Sequence, residues 1–245
     1  MRRFGLIGFP LGHSFSKKYF TEKFLLEGID ARYDLYELKS LEEFAELKVS
    51  ENLCGLNVTI PYKQQIIPFL DEMDETAAEI GAVNVIKFIR NGNDLKLKGY
   101  NSDAIGFLQS IRPYLKPHHN KALILGTGGA SLAFDYTLRK LGIETTFVSR
   151  TPAEGQLSYS DLSETVLNEY PIILNASPVG TFPDVERCPD IPYQYLTSRH
   201  LLFDAVYNPA ETLFLQKGKA QGTTVLNGEG MLTGQAEAAW KIWNE

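Results

Sequence analysis

Reactive side chains gather in a few short segments of this chain. Lys63 closes the run Gly55-Leu56-Asn57-Val58-Thr59-Ile60-Pro61-Tyr62-Lys63, and Asp103 closes Gly99-Tyr100-Asn101-Ser102-Asp103. A lysine held by a carboxylate beside a carbonyl carbon can give and take a proton during hydride chemistry. From its own motif alone, Lys63 reads as an ordinary solvated lysine. Strand alternation sets Asn57 and Thr59 on one face, opposite Val58 and Ile60. Pro61 ends that strand, so Lys63 leaves its C-terminal side, where α/β proteins bind ligands. Asn84, in Gly81-Ala82-Val83-Asn84, can donate and accept, which suits ring hydroxyls.

A second group lies in Gly12-His13-Ser14-Phe15-Ser16, between a strand and a helix. Ser14 and Ser16 can aim hydroxyls at a carboxylate near the helix start, where the dipole also favours an anion. The same serines suit helix capping, and the two roles are compatible. His13 reads as structural. The four histidines, His13, His118, His119 and His200, lack the spacing of a zinc site, so no metal is expected.

A third segment, Leu123-Ile124-Leu125-Gly126-Thr127-Gly128-Gly129-Ala130-Ser131, breaks a buried strand into glycines and then a helix. Gly126 permits the tight turn, and Gly128 lets backbone amides approach a pyrophosphate at the helix N-terminus. Alone, this is also the pattern of a plain strand-to-helix turn, and the third fingerprint position is Ser131 in place of glycine or alanine. The next strand decides the dinucleotide. Where an NAD site places an acidic residue, this chain has Ser149-Arg150-Thr151, and Arg150 offers a planar cationic fork to a 2′-phosphate. Glu154 nearby opposes that phosphate.

These residues need an α/β framework, and the sequence supplies one. Apolar runs alternate with helix-period segments throughout. Strands are expected at 4–9, 31–38, 56–60, 83–89 and 95–99, with a hairpin turn at Asn91-Gly92-Asn93. Helices are expected at 16–27, at 41 to about 48, and across 71–80. Beyond Pro113–Asn120 the pattern becomes Rossmann-like: strands at 122–125, 145–149, 172–175, 201–205 and 224–226, a helix at 131–141 and a final amphipathic helix at 231–243. Two domains follow: residues 1–102 with 232–245, and residues 103–231.

The 245 residues carry a formal net charge of −6, so neither nucleic acid nor an acidic membrane is an expected partner. No apolar run approaches the ~20 residues of a membrane span, and the first strand is too short for a signal-peptide core. Cys54 and Cys188 read as reduced thiols of a cytoplasmic protein. The tripeptides Asn57-Val58-Thr59 and Asn175-Ala176-Ser177 match the glycosylation pattern by coincidence in that setting. A small-molecule substrate and a monomer or homodimer are expected.

Taken in order, these motifs resemble the shikimate dehydrogenases. The match runs through Gly12-His13-Ser14-x-Ser16, Asn57-Val58-Thr59-Ile60-Pro61-Tyr62-Lys63, Gly81-Ala82-Val83-Asn84 and Asn101-Ser102-Asp103. It continues through Gly126-x-Gly128-Gly129-Ala130, Ser149-Arg150-Thr151, Asn175-Ala176-Ser177, Asp204-x-Val206-Tyr207-Asn208-Pro209 and Gly230-Met231-Leu232-x-Gly234-Gln235-Ala236. The resemblance implies a substrate domain with a mixed sheet, a Rossmann-like NADP domain, and an active site in the cleft. It implies that Ser14, Ser16 and Tyr207 hold the shikimate carboxylate. Asn57, Thr59, Asn84, Asp103 and Gln235 would meet the rest of the substrate, and Lys63 would carry the acid/base role beside Asp103. Cofactor contacts are implied for Gly126, Thr127, Gly128, Gly129, Ala130, Ser149, Arg150, Thr151 and Gly228.

The chain departs from the family pattern after Ser16, where Lys17-Lys18-Tyr19-Phe20 replaces a proline and a later His-Asn pair. Ser102 replaces a threonine, Ser149 an asparagine, and Glu154 a common basic residue; the last two bear on how strictly NADP is preferred. Two alternatives stay open: a quinate/shikimate dehydrogenase with relaxed cofactor use, and a non-catalytic nucleotide-sensing Rossmann protein. The second predicts eroded positions at Lys63 and Asp103, and both are intact.

Overall fold

The computed structural model describes residues 1–12, 14–50 and 52–245, so His13 lies outside the described residues. The chain divides into two compact units, Met1–Gly106 with Leu232–Glu245, and Phe107–Met231.

The first unit holds a six-stranded mixed sheet. Its strands are β1 (Arg2–Gly8), β2 (Ala31–Glu37), β3 (Leu53–Val58), β4 (Glu72–Met73), β5 (Val85–Asn91) and β6 (Asp94–Tyr100), in the spatial order β2-β1-β3-β5-β6-β4. Strands β1, β2 and β3 run parallel, and β5 is antiparallel to both β3 and β6. Helices α1 (Phe15–Leu26), α2 (Glu42–Ser50), α3 (Tyr62–Gln65) and α4 (Glu75–Ile80) follow in the same unit, and α5 (Asp103–Ile111) begins in it. The β5–β6 hairpin turns on Gly92 and Asn93, with Asn91 paired to Asp94 and Gly92 at φ +63°. A positive φ at the first central residue is where glycine costs least.

Where the sequence predicts a helix across 71–80, only Glu75–Ile80 is helical. Asp71 and Asp74 explain the shortfall. The Asp71 carboxylate accepts the Leu97 amide, and the Asp71 amide donates to the Leu97 carbonyl. The Asp74 amide donates to the Gly99 carbonyl, and the Asp74 side chain caps α4 through the Ala77 amide. Residues before the cap are thereby drawn onto β6 as a short strand. The predicted alternation through Ile60 also stops early. Strand β3 ends at Val58, and the Tyr62 amide closes a turn onto the Thr59 carbonyl, leaving Ile60 65% exposed.

One face of this sheet packs an aromatic cluster of Phe4, Phe20, Phe24, Tyr33 and Trp243. Phe20 and Phe24 are one helical turn apart on α1 and so share a face. The final helix of the chain carries Trp243 to within 4.8 Å of the Phe4 ring centroid. A Cβ placed on Gly55 would lie 2.2 Å from Trp243 Nε1, the atom that donates to the Ile86 carbonyl. Gly55→Ala is therefore expected to destabilise the protein by roughly 1–3 kcal/mol, as overpacking does. Chemical denaturation followed by tryptophan fluorescence checks this; an unchanged midpoint would contradict it.

The second unit holds a six-stranded parallel sheet: β7 (Lys121–Leu125), β8 (Glu144–Ser149), β9 (Leu157–Ser158), β10 (Ile172–Asn175), β11 (Leu201–Asp204) and β12 (Thr224–Leu226). Its order is β12-β11-β10-β7-β8-β9. Helices α6 (Gly129–Lys140), α7 (Glu164–Glu169) and α8 (Leu213–Ala220) belong to it, and α9 (Glu229–Asn244) starts here before continuing into the first unit. The central strands are apolar without alternation because both faces are covered. Ala122, Ile124, Ile172, Leu174, Leu201 and Phe203 line one core, while Leu123, Leu125, Ile173 and Leu202 line the other.

Candidate active site

Three elements of the first unit converge on Lys63. The lysine stands on α3, just past the end of β3, and its backbone carbonyl accepts the Val83 amide at 2.7 Å. That bond fixes the Gly81–Asn84 segment against α3. Asp103 opens α5, where the helix dipole favours a negative charge. Lys63 Nζ donates to Asp103 Oδ2 at 2.5 Å, with side chains 15% and 2% exposed. One ammonium proton is thus directed to the carboxylate, which leaves two for another acceptor.

Asn84 organises the neighbouring polar groups. Its side-chain oxygen accepts the Ser102 amide at 2.7 Å, and its nitrogen donates to Ser102 Oγ and to Gln235 Oε1, each at 3.0 Å. Asn101 caps α5 by accepting the Ala104 amide and donates to the Ala82 carbonyl. Asn57, 6% exposed, donates to the Asn84 carbonyl at 3.3 Å, and half-buried Thr59 follows it at the strand end. Ser14 caps α1 by accepting the Lys17 amide at 3.3 Å. Ser16 stands half-buried on the first turn of α1. Lys63, Asp103, Asn57, Asn84 and Gln235 are brought into linked contacts, while Tyr207 belongs to the second unit.

In the second unit, Gly126 turns the chain at φ +112°, and α6 starts at Gly128 with no side-chain cap. A Cβ on Gly128 would meet nothing within 4 Å, so there is open space beside the start of α6, whose first amides have no side-chain cap. That is the arrangement of an anion site at a helix N-terminus. Ser131 is completely buried, and its hydroxyl donates to the Gly128 carbonyl at 2.5 Å. The serine at the third fingerprint position thus fastens the first turn. Thr127 is exposed, Gly129 and Ala130 half-buried. At the end of β8, Ser149 Oγ accepts the Thr151 amide at 3.2 Å, and Arg150 and Thr151 are exposed.

Sequence reasoning missed what holds the loops beyond β10 and β11. Asp204 has no exposed surface; its Oδ1 accepts Asn175 Nδ2 and the Val206 amide, and its Oδ2 accepts Thr212 Oγ1 at 2.5 Å. Asn175 in turn accepts the Ser177 amide and hydroxyl. A Cβ on Gly228 would lie 2.3 Å from the Ala205 carbonyl oxygen, so the chain can approach here only as glycine. The available signal was a polar residue ending each of two otherwise apolar strands.

Burial pushes the Asp204 carboxyl from its ordinary 3.8 up to about 6, against the opposing hydrogen bonds from Thr212, Val206 and Asn175. The folded state therefore holds that proton more tightly than the unfolded chain does. The resulting stability is complete below about pH 3.8 and is lost as pH rises through 6. Relative to Asp204→Asn, the unfolding free energy of the unaltered protein should fall by about 3 kcal/mol between those limits. Denaturant titrations of both proteins at several pH values measure the difference, and parallel pH profiles would contradict it.

Comparison with known proteins agrees with this geometry. A family model for the shikimate dehydrogenase substrate binding domain matches residues 6–86. The shikimate dehydrogenase (NADP(+)) of Methanosphaera stadtmanae is 36% identical over 258 aligned residues, covering 98% of this chain and 90% of its own. This chain belongs to the shikimate dehydrogenase family. Crystal structures of shikimate dehydrogenases superpose on nearly all of it. That from Aquifex aeolicus has a TM-score of 0.87 at 34% identity, covering 99% of this chain and 92% of its own. That from Thermus thermophilus, in complex with NADP(H) and shikimate, has a TM-score of 0.85 at 29% identity, covering 99% and 93%. Within the shikimate dehydrogenase pattern, the departure after Ser16 has a structural consequence. Phe20 is fully buried and stacks on Tyr33 with ring centroids 4.8 Å apart.

Proposed function

We propose that this chain is an NADP-dependent shikimate dehydrogenase that interconverts 3-dehydroshikimate and shikimate in the formation of chorismate and the aromatic amino acids. The Lys63–Asp103 pair, beside the linked Asn57, Asn84 and Gln235 side chains, carries the reading. Substrate hydroxyls would be met by Asn57, Thr59, Asn84, Asp103 and Gln235. Its carboxylate would be met by Ser14, Ser16 and Tyr207.

The uncapped start of α6 fits a pyrophosphate, and Ser149, Arg150 and Thr151 at the end of β8 fit a 2′-phosphate. Gly126–Ala130 and Gly228 would line the cofactor. When bound, the reduced nicotinamide supplies a hydride to the ketone carbon. Lys63 then delivers one ammonium proton to the developing alkoxide, and Asp103 holds the lysine in place throughout. In the reverse direction the neutral lysine takes that proton back. A cytoplasmic setting and a monomeric or homodimeric assembly complete the proposal, in keeping with the two free cysteines.

Glu154, four residues past Arg150, supports a second reading with the same chemistry but relaxed choice, using NAD or quinate as well. Reduction of NADP⁺ or NAD⁺ by shikimate or quinate, followed at the reduced-nicotinamide absorbance band, separates the two. Fast turnover confined to shikimate with NADP⁺ supports the first; turnover with NAD⁺ or quinate supports the second. Silence in all combinations from folded protein would overturn both.

A further inference from the structure

Tyr33 is 2% exposed in the aromatic cluster of the first unit, stacked on Phe20 and 6.4 Å from the Trp243 ring centroid. A phenylalanine would fill that place as well, so the hydroxyl needs its own explanation. It donates to Asn57 Oδ1 at 2.7 Å. Asn57 Nδ2 donates to the Asn84 carbonyl, which fixes the amide with its oxygen toward Tyr33. The single phenolic proton is therefore committed to Asn57. Burial pushes the phenol well above its ordinary range, so it keeps its proton.

We propose that Tyr33 is a positioning residue for substrate binding, its hydroxyl holding the Asn57 side chain on β3 in place for shikimate. Tyr33 and Asn57 stand on strands that are not neighbours. Strand β1 separates β2, which carries Tyr33, from β3. Phe4 pairs with Tyr33 on one side and Leu6 with Asn57 on the other, so the three strands present these side chains on one face. The phenol reaches across β1 and fixes the Asn57 rotamer. The inference rests on the shikimate dehydrogenase reading.

The test begins with the unaltered enzyme turning over shikimate and NADP⁺, since failure there would sink the functional reading and not this one. Tyr33→Phe then removes one oxygen and leaves the ring. The KM for shikimate is expected to rise roughly fivefold to tenfold, with kcat and the KM for NADP⁺ within about twofold. Combining Tyr33→Phe with Asn57→Ala should raise KM by clearly less than the product of the two single effects. Phe20→Leu, which disturbs only the stacking, should lower the melting temperature without moving the KM for shikimate. If Tyr33→Phe does not fold, Tyr33→Leu poses the same question with the same expected rise. An unchanged KM in a folded variant, equal changes in both substrates' KM values, or full multiplication in the double variant would overturn the proposal.

Discussion

Lys63→Ala should lower kcat for shikimate oxidation by about 10²–10⁴-fold, the range for loss of a positioned proton carrier. The lysine is held on α3 by the Val83 amide on its carbonyl and by Asp103 on its ammonium. Removing the side chain leaves Asp103 buried at the first turn of α5 with its cationic partner gone. Loss of one member of such a pair strands the other, so a fall in stability is also expected. The catalytic and structural effects separate by measurement. Steady-state rates with saturating shikimate and NADP⁺ report the first, and denaturant midpoints report the second. Near-native turnover in a folded Lys63→Ala protein would remove the lysine from the proton-transfer role. Lys63→Arg keeps the charge but holds its protons far more tightly, and it should restore stability more than rate.

Arg150→Ala should raise the KM for NADP⁺ by about 10–100-fold while leaving that for NAD⁺ nearly unchanged. A hydrogen bond to a charged group is worth about 1.5–3 kcal/mol, which sets that range. The guanidinium is exposed at the end of β8, and Ser149 folds the following turn by accepting the Thr151 amide. Kinetics with both dinucleotides distinguish a phosphate contact from general damage, because damage would weaken both alike. Glu154→Lys should act in the opposite sense on NADP⁺.

Much of this was legible in the sequence for reasons of local physics. The buried run Leu123–Leu125, the glycines after it and the helix behind them obey rules of a few neighbouring residues, and the parallel sheet followed. Lys63 and Asp103 were legible as chemistry, but their 2.5 Å contact required the fold. What escaped was set by distant partners. Asp71 and Asp74 look like helix residues until β6 engages them. Asp204 and Asn175 look like strand ends until one is seen to bind the other, and Tyr33 looks like a core aromatic until its hydroxyl meets Asn57. Each is a polar atom whose meaning lies in a group many residues away.

The most direct test follows the hydride itself. Purified protein would be given 3-dehydroshikimate with NADPH carrying deuterium at the transferable position of the nicotinamide, and the product examined by mass spectrometry and proton NMR. The account predicts shikimate bearing a single deuterium on the carbon that held the ketone, formed rapidly by the unaltered protein and at a rate about 10²–10⁴-fold lower by Lys63→Ala. Unlabelled shikimate, no shikimate at all from folded protein, or equal rates from the two proteins would contradict it.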